Sequence, residues 1–152
     1  MRSIGAALLI VSLVGCTSIQ TVITSPEKVQ KGVGITLQLI GPDMPGLEHS
    51  VIKALKDSGF DVFSGSIVSL VYTNPAAQTA SGTEVQQEVA RKFQTRYLCK
   101  IKSMGFGTLI SGFTIQLINT ESGKILFSIN GSDGSYSPDE IAKTLVSALV
   151  TL

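Results

Sequence analysis

The sequence predicts an α+β domain of two layers, a mainly antiparallel sheet of four to five strands with about three helices on one face. Three observations carry this. VGITLQLI, YLCKIK, FTIQL and KILFSIN alternate apolar and polar residues with period two, as strands with one buried face do. Segments beginning near Leu47, Thr83 and Ser137 place apolar residues at helical spacing instead. The resulting order β-α-β-α-β-β-β-α contains no internal repeat, and its one-sided alternation argues against a parallel sheet buried on both faces.

The chain opens with one basic residue, Arg2, ahead of an uncharged apolar run, Ile4 to Leu13. That is the layout of an export signal, and the run is shorter than the roughly 20 apolar residues of a membrane-spanning helix. It closes on Leu13-Val14-Gly15-Cys16, which resembles the bacterial lipobox. The resemblance implies a signal peptide over residues 1–15, cleaved before a Cys16 whose sulfur takes a diacylglyceryl group and whose amine takes an N-acyl chain such as palmitate. No other cofactor is expected. Two or more acyl chains hold a protein stably to a bilayer, whereas one does so marginally. Thr17 follows where an aspartate usually retains a lipoprotein at the inner membrane, so the resemblance favours the periplasmic side of the outer membrane. Cys99 then has no disulfide partner in the mature chain.

Residues 16–32 read as the lipidated cysteine and a flexible tether, although TVIT has the composition to pair at a sheet edge. Residues 33–152 form the single domain. In VGITLQLI, Val33, Ile35, Leu37 and Leu39 share the buried side and Gly34, Thr36 and Gln38 the other. GPDMPG is a turn; LEHSVIKALKDSG is a helix burying Leu47, Val51, Ile52 and Leu55, with Gly59 as its C-cap. FDVF and IVSLVY are β-rich, and TEVQQEVARKFQTR reads as a second helix. In the next three strands the inward sets are Tyr97, Cys99 and Ile101; Phe113, Ile115 and Leu117; and Ile125, Phe127 and Ile129. Asn119 to Gly123 make the hairpin loop between the last two. Ser137 and Glu140 form a capping box, with Pro138 at the first helical position of the last helix.

The residues that carry chemistry are sparse. Once Arg2 leaves with the signal, eleven basic and eleven acidic side chains balance, so no basic face invites nucleic acid. His49 is the one histidine and has no ligand set spaced around it for zinc, and the Asn130–Gly134 turn lacks the alternating acids of a calcium loop. Cys99 falls on an inward strand position, where a free cysteine acts as a small hydrophobe rather than as a partner for His49. No nucleophile elbow or phosphate-binding glycine loop is present, and no enzymatic activity is expected.

GLEHSVIKALKDSGFDV resembles the helix followed by Gly-Phe-x-Val of the TolB amino-terminal-like fold, and ARKFQTRYLCKIK and IQLINTESGKILFS resemble its later helix-strand junction and hairpin. Cys99 stands where that fold often has glycine, and Asn119 where it often has aspartate. Small outer-membrane lipoproteins use this fold, among them the curli-channel, penicillin-binding-protein-activator and flagellar lipoproteins. The resemblance implies a membrane-anchored assembly or regulatory module for an envelope machine such as a secretion channel, an appendage or a cell-wall synthase. The expected partners are another envelope protein or a second copy of the chain. A candidate partner face is the side of the sheet away from the helices: Thr36, Gln38, Leu98, Lys100, Lys102, Thr114, Gln116, Ile118, Lys124 and Leu126. Its aliphatics suit either a partner contact or scattered surface apolars, and the sheet edge is a second candidate. The alternative function is a small-ligand or lipid carrier with a pocket behind Tyr97, Phe113 and Phe127.

Overall fold

In the computed structural model, residues 18–41, 44–65 and 95–152 are described. They build one six-stranded sheet and two helices: β1 (Ser18–Ile23), β2 (Gly34–Ile40), α1 (Leu47–Asp57), β3 (Asp61–Ser64), β4 (Tyr97–Phe106), β5 (Leu109–Asn119), β6 (Ile125–Ser132) and α2 (Pro138–Thr151). The strands lie in the order β1-β6-β5-β4-β2-β3. The second expected helix and the IVSLVY strand lie outside the described residues.

The α+β architecture stands, but the sheet is mixed. β1, β6, β5 and β4 pair antiparallel, whereas β2 runs parallel to both β3 and β4. Parallel neighbours require a crossover connection, and the strand–helix–strand order of β2, α1 and β3 supplies one. One-sided alternation had pointed the other way because β2 carries polar Thr36 and Gln38 on its second face.

Ser18–Ile23, within the stretch read as a tether, is an ordered edge strand paired with β6 from Ser18↔Ser132 to Ile23↔Phe127. All six of its residues are exposed, so the pairing rests on the backbone ladder and not on a buried side-chain pattern.

Both helices end as their sequences dictate. At the end of α1, Gly59 adopts φ 87° and donates its N–H to Lys56 O at 2.9 Å, while Phe60 N–H reaches Leu55 O at 3.1 Å. This Schellman closure needs a left-handed residue, and buried Phe60 supplies its apolar contact with the last turn. Ahead of α2, Ser137 N–H donates to Glu140 Oε2 at 2.7 Å and Glu140 N–H donates to Ser137 Oγ at 3.2 Å. The Ser137 N–H, together with the Ser137 hydroxyl that donates to the same Oε2 at 2.9 Å, holds the Glu140 carboxyl below the usual carboxylate range.

The core lies between the helices and one face of the sheet. Ile35, Leu37, Tyr97, Cys99, Ile101, Phe113, Ile115, Leu117, Phe127 and Ile129 meet Leu47, Val51, Leu55, Ile141, Leu145 and Leu149 in one cluster. Burial of a large apolar side chain contributes about 1.5–3 kcal/mol. Phe113 packs edge-on to Tyr136, with ring centroids 4.9 Å apart.

A register shift in the β5–β6 pair corrects one inward set. Leu117 faces Phe127, but the next pair is Ile118 with Ile125, leaving Leu126 as an extra residue. The bulge turns Leu126 into the core at 0% exposure and puts Ile125 on the opposite face at 36%. The Leu126 carbonyl accepts the N–H groups of Thr24 at 2.8 Å and Ser25 at 3.1 Å, where β1 ends.

Candidate functional site: the outer face of the sheet

On the face away from α1 and α2, cross-strand partners form three successive rows. Phe63, Thr36, Leu98, Ile118 and Ile125 make the first; Gln38, Lys100, Gln116, Ser128 and Val22 the second; and Ile40, Lys102, Thr114, Asn130 and Gln20 the third. Residues directly opposite on adjacent strands share a face, so each row is a contiguous band of side chains.

The rows divide the candidate face. The first is largely closed: Thr36 is 4% exposed and Leu98 5%, so neither offers a docking surface. Thr36 Oγ1 lies 2.8 Å from Thr95 Oγ1 in a buried hydrogen bond. Leu126 is withdrawn by the bulge, Ile118 is half-buried, and Lys124 is exposed in the hairpin loop ahead of β6. What remains together is Gln38, Lys100, Lys102, Thr114 and Gln116. Lys102 is exposed, and Thr114 Oγ1 donates to Asn130 Oδ1 at 3.0 Å. The Gln38 side-chain oxygen is buried with no hydrogen-bond partner among the described residues. The second and third rows contain two lysines and no acid, which makes this band electropositive.

Beyond the third row the face turns apolar. Met104 lies opposite Gly112, and Phe106 opposite Leu109, at the tip of the β4–β5 hairpin. Phe106 is 93% exposed, Leu109 53%, Met104 51% and Ile40 40%. The sequence reading stopped β4 at Lys102 and began β5 at Phe113, so it missed this projection. The signal was present as apolar residues on both sides of Gly107 with no charge nearby.

At the other end of the sheet, Asn119 ties two connections together. Its Nδ2 donates to both Glu27 oxygens, at 2.8 and 3.1 Å, and its Oδ1 accepts from Glu121 N–H at 2.9 Å and Ser122 N–H at 3.2 Å. Arg96 lies 3.6 Å from each of Glu27 and Glu121. The carboxamide therefore pins the β1–β2 connection to the β5–β6 turn. An aspartate, which only accepts when ionised, could not donate to Glu27.

The groups considered for catalysis do not form a centre. Cys99 is fully buried, and desolvation pushes its thiol up to about 12, so it carries no usable thiolate at neutral pH. His49 is an exposed residue of α1. Among the described residues no cluster of three His, Cys, Asp or Glu side chains is arranged to hold a metal. Tyr97, Phe113 and Phe127, proposed to line a ligand pocket, are fully buried members of the packed core. A groove of about 400 Å³ lies elsewhere, between β1 and α2, lined by Thr21, Ile23, Lys143, Thr144, Ser147, Ala148 and Thr151. Cys16 and the Leu13-Val14-Gly15 box lie outside the described residues.

No protein-family model matches the chain, and no curated protein matches it in sequence. Solved structures do match. PelC from Paraburkholderia phytofirmans, solved as a dodecamer, is 16% identical with a TM-score of 0.55 over 89% of this chain and 95% of that one. The LpoB C-terminal domain from Salmonella enterica is 17% identical with a TM-score of 0.52 over 72% of this chain and 85% of that domain. Its Escherichia coli counterpart is 16% identical with a TM-score of 0.52 over 73% and 87%. At such identities the likeness speaks for the fold, and the chain shares the TolB amino-terminal-like fold with PelC and LpoB.

Proposed function

We propose that this protein is a lipoprotein anchored through Cys16 on the periplasmic side of the outer membrane, where it acts as a non-enzymatic interaction module of an envelope machine. The observation that carries this reading is the electropositive band of Gln38, Lys100, Lys102, Thr114 and Gln116 on a rigid sheet, beside an exposed apolar end. A built surface of this kind, with the Cys99 thiol shut in the core, suits recognition rather than turnover. An anionic face on another envelope protein, or on a second copy of this chain, complements it. The oligomeric PelC structure is consistent with the second arrangement, because a shared fold can share a mode of assembly.

The test is crosslinking in intact cells followed by affinity purification of the wild type, Cys16→Ala, and the double variant Lys100→Glu with Lys102→Glu. The wild type is expected to bring down one defined set of envelope components. The double variant loses them while keeping its thermal midpoint, since neither lysine belongs to the core. A wild type that floats with outer membranes yet captures nothing specific overturns the module. A bound lipid or small ligand in the groove between β1 and α2 would then become the better account.

A further inference from the structure

We propose that the tip of the β4–β5 hairpin, carrying Met104, Phe106 and Leu109, inserts into the lipid surface to which Cys16 is anchored, so that the domain stands on the membrane at two points. The inference rests on the anchored-lipoprotein reading for its orientation and on the sheet register for its geometry.

Ile19, Gly131, Phe113 and Ser103 form one row across four strands, β1-β6-β5-β4. Ser18 lies one residue beyond that row, on the side toward which β4 continues through Met104 to Phe106. A single residue, Thr17, separates Ser18 from Cys16. The Cα of Cys16 can therefore lie no more than about 7 Å from that of Ser18. Phe106, three residues past the row, stands about 10 Å beyond it along the strand, and its strand lies about 14 Å sideways from β1. A lipidated Cys16 thus confines the membrane surface to the end of the sheet where the hairpin projects.

The tip has the chemistry of a lipid contact. From Ser103 to Thr120 the chain carries no charged side chain. Met104, Phe106 and Leu109 share one face, Ile40 flanks them, and all are 40–93% exposed. Exposed apolar clusters of this kind mark membrane or protein contacts, and Phe and Leu side chains bury into the boundary between headgroups and acyl chains. The turn is also built to project: a Cβ on Gly105 would come within 2.0 Å of the Leu109 carbonyl oxygen, so glycine there permits the tight pairing that carries Phe106 outward. Asp133, just after β6, and Lys102, two residues ahead of Met104, bring opposite charges near this end, so the contact is one of apolar insertion and is tested on zwitterionic lipid.

The experiment uses the full lipidated chain, with Phe106→Cys or Ser122→Cys labelled by an environment-sensitive fluorophore and wild type as the labelling control. Ser122 is exposed in the hairpin loop at the opposite end of the sheet. Intact mass first establishes whether Cys16 is lipidated. In phosphatidylethanolamine–phosphatidylcholine vesicles, the label at 106 is expected to emit at shorter wavelength and to be quenched by bromolipids, while the label at 122 does neither. A lipidated chain whose 106 label stays water-like overturns the insertion and leaves the anchor intact. If mass shows no lipid on Cys16, the anchor fails by itself. The tip is then judged by adding the unlipidated chain, carrying Cys16→Ala so that position 106 alone takes the label, to the same vesicles, where an unchanged 106 signal overturns it as well. A blue shift that appears without vesicles and grows with protein concentration overturns it in favour of contact between copies.

Discussion

Cys99 occupies the centre of β4 with no exposed surface, and its thiol is pushed up to about 12 by desolvation alone. In the unfolded chain a thiol ionises near 9, so between these values the unfolded state has released a proton that the native state keeps. Stability contributed by the buried neutral thiol is full below pH 9 and declines as pH rises, by at most about 1.4 kcal/mol per pH unit. Urea titrations of wild type and Cys99→Ala across pH 8–11 check this: the wild type should lose stability more steeply. Native Cys99 should also resist thiol reagents until the protein unfolds. Asn119 offers the converse case, a polar group whose donor matters. Asn119→Asp sets a carboxylate against Glu27 where an N–H donated before, and should cost about 1–3 kcal/mol near neutral pH. Part of that loss should return as the pH falls through the carboxylate range, which a pH series of thermal midpoints would detect.

Among the elements, β6 and the β4–β5 hairpin depend on irregularities that simple alternation hides. The bulge exchanges the roles of neighbouring leucine and isoleucine, so Leu126→Ala should cost about 2–5 kcal/mol. Ile125→Ala, at a site 36% exposed, should cost less than half as much. Chemical denaturation of the two variants decides between the bulged register and an unbroken one, which reverses the order. In the hairpin, Gly105→Ala forces a Cβ against the Leu109 carbonyl at a backbone φ of 157°. The expected outcome is a displaced tip with a largely intact core, seen as amide shifts confined to residues 103–112 with the α1 and α2 signals unmoved.

For the molecule as a whole, the short path from Cys16 to β1 matters most. With the strand beginning two residues after Cys16, a domain anchored through that cysteine would have little freedom to leave its membrane. The electropositive band would then be held at a set height above the lipid, facing along the membrane toward a neighbouring protein. Inserting about six Gly/Ser residues between Thr17 and Ser18 adds about 13 Å of flexible reach. The lipidated protein should still float with membranes, but its crosslinks through Lys100 and Lys102 should weaken or change partner. Unaltered crosslinks from the lengthened chain would show that height above the membrane plays no part in partner choice.

Residue chemistry by itself determined the α+β class, both helices with their ends, and most of the core. Gly59, the Ser137–Glu140 box and the inward sets of β2, β4 and β5 act through neighbours a few residues away, and such local physics is readable along the chain. The lipobox reading is likewise wholly a matter of sequence. Only the tertiary structure decided that β2 lies between two parallel partners, because strand direction depends on how crossovers pack and not on alternation. It also recruited Ser18–Ile23 to the sheet, since an edge strand held by backbone hydrogen bonds needs no apolar pattern to announce it. The candidate face changed for the same reason. One bulged residue took Leu126 out of it, packing closed over Thr36 and Leu98, and a hairpin longer than its alternating part brought Phe106 to the end that an anchored amino terminus shares.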